Sequence, residues 1–141
     1  MSTYPYDVTP DGPGYLISFP DVPEALSGAD SGENIERIAG DCLATALAGY
    51  ALEKRPRPRP SRPAAGQHVV VLPALVEAKL ALIAAMTAKA IKKTELARIL
   101  GVDESLVRRL VDLDHRSHIG EVERALAALG KRLDVRVKNA A

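Results

Sequence analysis

Apolar residues along this 141-residue chain change their spacing as the chain proceeds. Tyr4–Thr9 and Tyr15–Phe19 have strand-like composition and flank Thr9-Pro-Asp-Gly-Pro-Gly14, a string of turn formers, so the pair predicts a β-hairpin. After Pro20-Asp-Val-Pro23, the run Glu24–Ser27 predicts a third short strand. The period then becomes helical: Ile35, Ile38, Ala39, Cys42, Leu43, Ala46, Leu47 and Tyr50 recur on one face through about Leu52. Asp30 or Ser31 is the expected N-cap, with Glu33 and Glu36 early in the helix, where its dipole favours acids. A valine-rich fourth strand is expected at His68–Leu72. The order β-β-β-α-β predicts a small α+β sandwich with the helix against one sheet face.

The second half is read as helices. Pro73 opens one whose wide apolar face is Leu75, Val76, Leu80, Leu82, Ile83 and Met86. Shorter helices are expected at about 93–100 and 104–112, then a loop around Asp114–Ser117. A further helix, Ile119–Leu129, is stopped by Gly130. Within this half, Thr94-Glu-Leu-Ala-Arg-Ile-Leu-Gly-Val-Asp-Glu-Ser-Leu-Val-Arg-Arg-Leu110 reads as a helix-turn-helix. Leu96, Ala97, Leu100, Val102, Leu106, Val107 and Leu110 face inward, and Gly101 makes the corner. Glu104, Ser105, Arg108 and Arg109 lie on the outer face of its second helix, the layout of a helix set in a DNA major groove. Finally, Leu133, Val135 and Val137 alternate with Asp134, Arg136 and Lys138, the period of a half-buried strand. A lone terminal strand needs a partner, and the same strand of a second subunit would supply one, giving a homodimer suited to two-fold DNA sites.

Composition is that of ordinary globular material, 47% apolar and 26% charged. No apolar run is long enough for a bilayer span and no secretory signal stretch is evident, so a cytoplasmic protein is expected. All five aromatic residues (Tyr4, Tyr6, Tyr15, Phe19, Tyr50) precede position 51, so the first half builds its own core. Charge divides along the chain. Residues 1–53 hold nine acids and one base (Arg37); residues 54–66 hold five bases and no acid; residues 67–141 hold thirteen bases and nine acids. An acidic half and a basic half suggest one basic partner and one polyanion, with plain solvated surfaces as the alternative. Between them, segment 55–66 (Arg55-Pro-Arg-Pro-Arg-Pro-Ser-Arg-Pro-Ala-Ala-Gly66) alternates with proline, excluding regular helix and favouring an extended path.

Several chemistries find no support in the residues. Cys42 lies among Ala39, Leu43 and Ala46 and reads as a buried structural thiol, not a nucleophile. Asp7, Asp11, Asp21 and Asp41 are scattered between strands, turns and helix, unlike the converging carboxylates of a two-metal nuclease. His68, His115 and His118 make no metal-ligand set. No phosphate-cradling glycine motif or nucleophile elbow occurs. Neither an enzyme, a metal nor a cofactor is expected.

The ordered combination of Tyr4-Pro-Tyr6, Thr9-Pro-Asp-Gly-Pro-Gly-Tyr-Leu-Ile-Ser-Phe-Pro-Asp-Val-Pro-Glu-Ala-Leu26, the long helix after Gly28, Val71-Leu-Pro73, Glu95-Leu-Ala-Arg-Ile-Leu-Gly101 and Ala127-Ala-Leu-Gly-Lys-Arg-Leu133 resembles the HicB antitoxins of bacterial toxin–antitoxin pairs, in the version with a helix-turn-helix. The resemblance spans nearly the whole chain. It implies a partial ribonuclease-H-like domain at 1–72 that binds and occludes HicA, a small mRNA-cleaving toxin. It also implies a helix-turn-helix DNA-binding and dimerisation domain at 73–141 that represses the toxin–antitoxin operon. The acidic first half suits an RNA-binding, basic toxin. Candidate toxin contacts are Tyr15 and Asp21 near the hairpin and Glu33 and Glu36 on the helix.

On the DNA side, Lys92, Lys93 and Thr94 would approach phosphates; Lys92 departs from the Ser or Thr cap frequent in relatives. Glu104, Ser105 and Arg108 are the base-reading candidates, since Arg pairs bidentately with guanine and Glu accepts from cytosine. Arg109, Arg116 and Ser117 are candidate phosphate contacts. For each of these, a solvated surface residue is the plainer alternative. A stand-alone repressor with an N-terminal ligand-sensing domain is the competing function.

Overall fold

The computed structural model describes residues 3–140 and is α+β. Strands β1 (Thr3–Asp11), β2 (Gly14–Ser18) and β3 (Leu26–Ala29) precede helix α1 (Ile35–Leu52); β4 (His68–Val71) follows, then α2 (Ala74–Ala88), α3 (Lys93–Leu100), α4 (Glu104–Leu110) and α5 (Ile119–Ala128). The strands form one antiparallel sheet in the order β3-β2-β1-β4. The β-β-β-α-β order is therefore the one expected, with shifted boundaries. β1 and β2 stay paired down to Asp11 opposite Gly14, so the hairpin closes over Gly12-Pro13 alone. β3 starts two residues later than expected.

Gly14 is required where it stands. A Cβ there would collide with the Ala29 carbonyl, because β3 passes directly alongside. The expected cap of α1 is corrected. Asp30 makes a turn instead, in which the Glu33 amide donates to its carbonyl and its own amide donates to the Glu33 carboxylate, 2.7 Å away. That turn delays the helix to Asn34, whose side chain accepts from the Arg37 amide at 3.1 Å.

Buried residues gather in two clusters. The first unites Tyr4, Tyr6, Ile17, Phe19, Val22, Leu43, Leu47, Tyr50, Val70 and Leu72 between the sheet and α1. Its rings interlock: Tyr6 lies 5.5 Å from Phe19 and stacks on His68 at 5.2 Å. Cys42 packs half-buried at its edge, and burial pushes the thiol up from its ordinary pKa, as suits a structural residue. The second cluster joins α2 to α5 through Leu82, Met86, Leu96, Val107, Leu110, Val122 and Leu126. Helix α2 serves both, giving Leu80 to the first and Ala78, Leu82, Ala85 and Met86 to the second. An apolar surface on opposite faces is what a helix sandwiched between neighbours needs.

Four helices end alike, with one left-handed residue whose own amide and the next one reach back to the last carbonyls. Gly101 (φ +68°) and Gly130 (φ +76°) do this at the ends of α3 and α5, but Lys54 (φ +57°) and Ala90 (φ +53°) do it after α1 and α2. The strand expected at 133–138 is not formed. Residues 131–140 carry no regular structure; Leu133 packs on the second cluster, while Val135 and Val137 are 69% and 96% exposed. A strand requires a hydrogen-bonding neighbour, and the single chain provides none for this stretch.

Candidate functional site

Helices α3 and α4 meet in a corner built by Gly101. Its left-handed backbone lets its own amide donate to the Arg98 carbonyl (3.2 Å) and that of Val102 to Ala97 (3.0 Å), turning the chain within two residues. Leu96, Ala97, Val107 and Leu110 are buried, which holds the pair against α2 and α5 and turns the opposite faces outward. Lys92, Lys93 and Thr94 are exposed at the start of α3. Lys92 is its N-cap and gives no side-chain cap, so the first amides of the helix face solvent beside two ammonium groups.

On α4, Arg108 and Arg109 are exposed and Glu104 and Ser105 half-buried. Arg108 lies 3.8 Å from Glu104, one turn earlier. An exposed pair of this spacing is worth only about 0.3–0.5 kcal/mol, so both groups are free to exchange each other for a stronger partner. Arg116 is exposed in the following loop. Ser117 differs from the rest: its hydroxyl donates to the Arg109 carbonyl (3.3 Å) and lies 2.9 Å from His115 Nδ1, so it holds the loop to α4. Of the nine basic-half candidates, Lys92, Lys93, Thr94, Arg108, Arg109 and Arg116 are thus exposed, Glu104 and Ser105 are half-buried, and Ser117 has an internal role as well.

Sequence reasoning missed Lys79. It sits on α2 among the residues of the apolar face and is fully buried. Its Nζ donates to the carbonyls of Arg109 (2.9 Å), Asp112 (2.6 Å) and His115 (2.7 Å). Burial lowers its pKa, while the nearby Asp112 and Asp114 charges oppose that shift. No sequence signal marks it, because a lysine within an apolar stripe ordinarily reads as reaching out to water.

The acidic-half candidates are dispersed. Tyr15 is exposed on β2, opposite Ala29 of β3, and Glu33 follows closely in the Asp30 turn. Asp21 lies beyond the other end of β2, where its carboxylate accepts from both the amide and the hydroxyl of Ser61. Its role is thus to tie down the proline-rich segment. Glu36 stands on the rim of a cleft of about 400 Å³ between α1, the end of β4 and the start of α2, which Leu113 and Asp114 also line.

The basic segment is a strap, not a free linker. Arg55 reaches Glu24 at 2.9 Å and lies 4.1 Å over the Tyr50 ring. Arg57 clasps Glu77 and also donates to the Tyr4 hydroxyl, which itself donates to the Pro58 carbonyl at 2.6 Å. Arg59 and Arg62 remain exposed.

Among the described residues no group of three or more His, Cys, Asp or Glu side chains is placed to hold a metal ion, and no helix is long and apolar enough to cross a membrane.

Comparison with known proteins agrees along almost the entire chain. The profile of a family described as the HicB-like antitoxin of bacterial toxin-antitoxin systems matches residues 3–81. The chain is 38% identical over 132 residues to Antitoxin HicB 2 of Photorhabdus laumondii, covering 94% of each protein. It is 35% identical over 134 residues to Antitoxin HicB of Escherichia coli, covering 94% of this chain and 96% of that one. Antitoxin HicB of Pseudomonas fluorescens is 36% identical over 144 residues, covering 99% and 97%.

Proposed function

The chain belongs to the HicB-like antitoxin family of bacterial toxin–antitoxin systems, and from that premise we propose that it neutralises a HicA-type mRNA-cleaving toxin and represses its own operon. The family is one of antitoxins, not enzymes. In this reading residues 1–72 are a partial ribonuclease-H-like unit that binds the toxin, and residues 73–141 bind operator DNA and dimerise. The observation that carries the DNA half is the α3–α4 corner, which acts as a helix-turn-helix with α4 as the recognition helix. Arg108, exposed, and Glu104, half-buried, read base edges and are joined only by a weak mutual contact. Lys92, Lys93, Thr94, Arg109 and Arg116 set the helix on phosphates, with the uncapped start of α3 contributing its amides.

The toxin half rests on family membership and charge. Residues 1–53 carry a net charge of −8, which favours encounter with a basic RNA-binding protein and slows encounter with RNA itself. Tyr15, Glu33 and Glu36 are the proposed contacts on that surface. Asp21 contributes by fixing the strap beside it. The alternation at 133–138, whose Val135 and Val137 are exposed, supplies the dimer contact by pairing with its counterpart in a second chain.

Mixing the purified chain with the toxin encoded beside its gene tests the proposal. A stable complex with suppressed RNA cleavage is expected; a toxin that goes on cleaving beside excess folded protein would overturn it.

A further inference from the structure

Helix α4 is short, seven residues or about 10 Å, and only Val107 and Leu110 of it are buried. Two fully buried apolar side chains fix such a helix at few points. Its C-terminal end is nonetheless held firmly, because Lys79 Nζ meets the carbonyls of Arg109, Asp112 and His115 at 2.6–2.9 Å. An ammonium has three N–H donors, and the three carbonyls use them all. None of these partners is a carboxylate. The buried charge is compensated by peptide dipoles, including the negative end of α4, and by the nearby Asp112 and Asp114 charges.

The anchored points span the last turn of α4 and the loop behind it. The same Arg109 carbonyl accepts from Ser117, and Leu113 of that loop packs against the sheet-side core. Lys79 therefore refers the end of α4 to α2, the helix shared by both cores. An aliphatic residue would fill the volume equally well, yet would leave those carbonyls only their local partners, the amides of Asp112, His115 and Ser117 and the Ser117 hydroxyl, none of which ties them to α2.

We propose that Lys79 is the positioning residue of α4: by holding the carbonyls of Arg109, Asp112 and His115, it sets the angle at which Arg108 and Glu104 meet base edges. It governs sequence discrimination without touching DNA. Phosphate contacts tolerate a small tilt, whereas bidentate base contacts do not. The inference rests on the reading of α4 as the recognition helix.

The test compares full-length wild type, Lys79→Met, Lys79→Arg and Arg108→Ala. Each is titrated on a duplex from the promoter region of the chain's own operon and on a random duplex of equal length. Methionine keeps the length and removes the donors. Arginine keeps the charge, but its planar fork does not match three carbonyls converging on one atom. Variants are first checked for native circular dichroism and retained toxin binding. Both Lys79 variants are expected to bind the random duplex within about twofold of wild type and to lose about tenfold or more of the promoter-to-random ratio. A merely structural lysine would lower the melting temperature and leave that ratio alone. If Lys79→Met does not fold, the ratio for Lys79→Arg decides. An unchanged ratio in a folded Lys79 variant, with the ratio of Arg108→Ala collapsed, overturns the inference alone. An unchanged ratio in Arg108→Ala overturns the recognition-helix reading and the inference with it.

Discussion

Arg57 lays two hydrogen bonds, 2.9 and 2.7 Å, on the two oxygens of Glu77, joining the proline-rich strap to helix α2 across twenty residues of chain. Burial opposes the charge on Arg57, but Glu77 and the Tyr4 hydroxyl hold its pKa above the usual arginine value. Replacing Arg57 with Ala strands a half-buried carboxylate and frees the strap. The expected loss is about 1–3 kcal/mol in urea unfolding, and Lys should restore only part of it. A loss within error would mean that the strap is held elsewhere, for example by Asp21 and Ser61.

Glycines give predictions of opposite sign. Gly14→Ala drives a Cβ into the Ala29 carbonyl and should displace β3, destabilising by about 1–3 kcal/mol. Gly40→Ala, inside α1 with open space around it, should stabilise by about 0.5–1 kcal/mol. Ala90→Gly should also stabilise, by about 1 kcal/mol, since it relieves the left-handed backbone that ends α2. Thermal unfolding of the three variants checks the signs.

Glu24 predicts a pH dependence. The Tyr50 hydroxyl at 2.6 Å, then a backbone amide and Arg55, hold its carboxyl below the ordinary value of 4.5. A carboxylate with a depressed native pKa contributes stability that is complete above its unfolded value and is lost as pH falls through the native one. The stability gap between wild type and Glu24→Gln should therefore be open at neutral pH and close on acidification below 4.5. A gap that widens in acid would contradict the assignment.

Much of this architecture is legible in the sequence because its signals are local. The turn string at 9–14 and the helical spacing of Ile35–Tyr50 each need only a few neighbouring residues. The cap of α1 was displaced by competition between nearby polar groups, since Asp30 and Glu33 bind each other and leave the helix to Asn34. The ends of α1 and α2 carry no glycine, so Lys54 and Ala90 gave no warning of their left-handed backbone. Asp21 and Lys79 depend on partners forty and at least thirty residues away, and no spacing rule reaches that far. In the corner at Gly101 the outward residues were readable because the inward ones are so regular.

The alternation at 133–138 makes a separate prediction. Deleting residues 133–141 should shift sedimentation from dimer towards monomer and weaken promoter binding, because two-fold sites need two linked recognition helices. A truncated protein that stays dimeric would remove the strand from the dimer contact.

The division of labour between the two halves is most directly tested by Arg108→Ala, assayed in parallel for promoter binding and for suppression of toxin RNA cleavage. The account predicts promoter affinity weakened by about 1–3 kcal/mol, with toxin suppression equal to wild type. Loss of both activities in a protein that remains folded, or of toxin suppression alone, would contradict it.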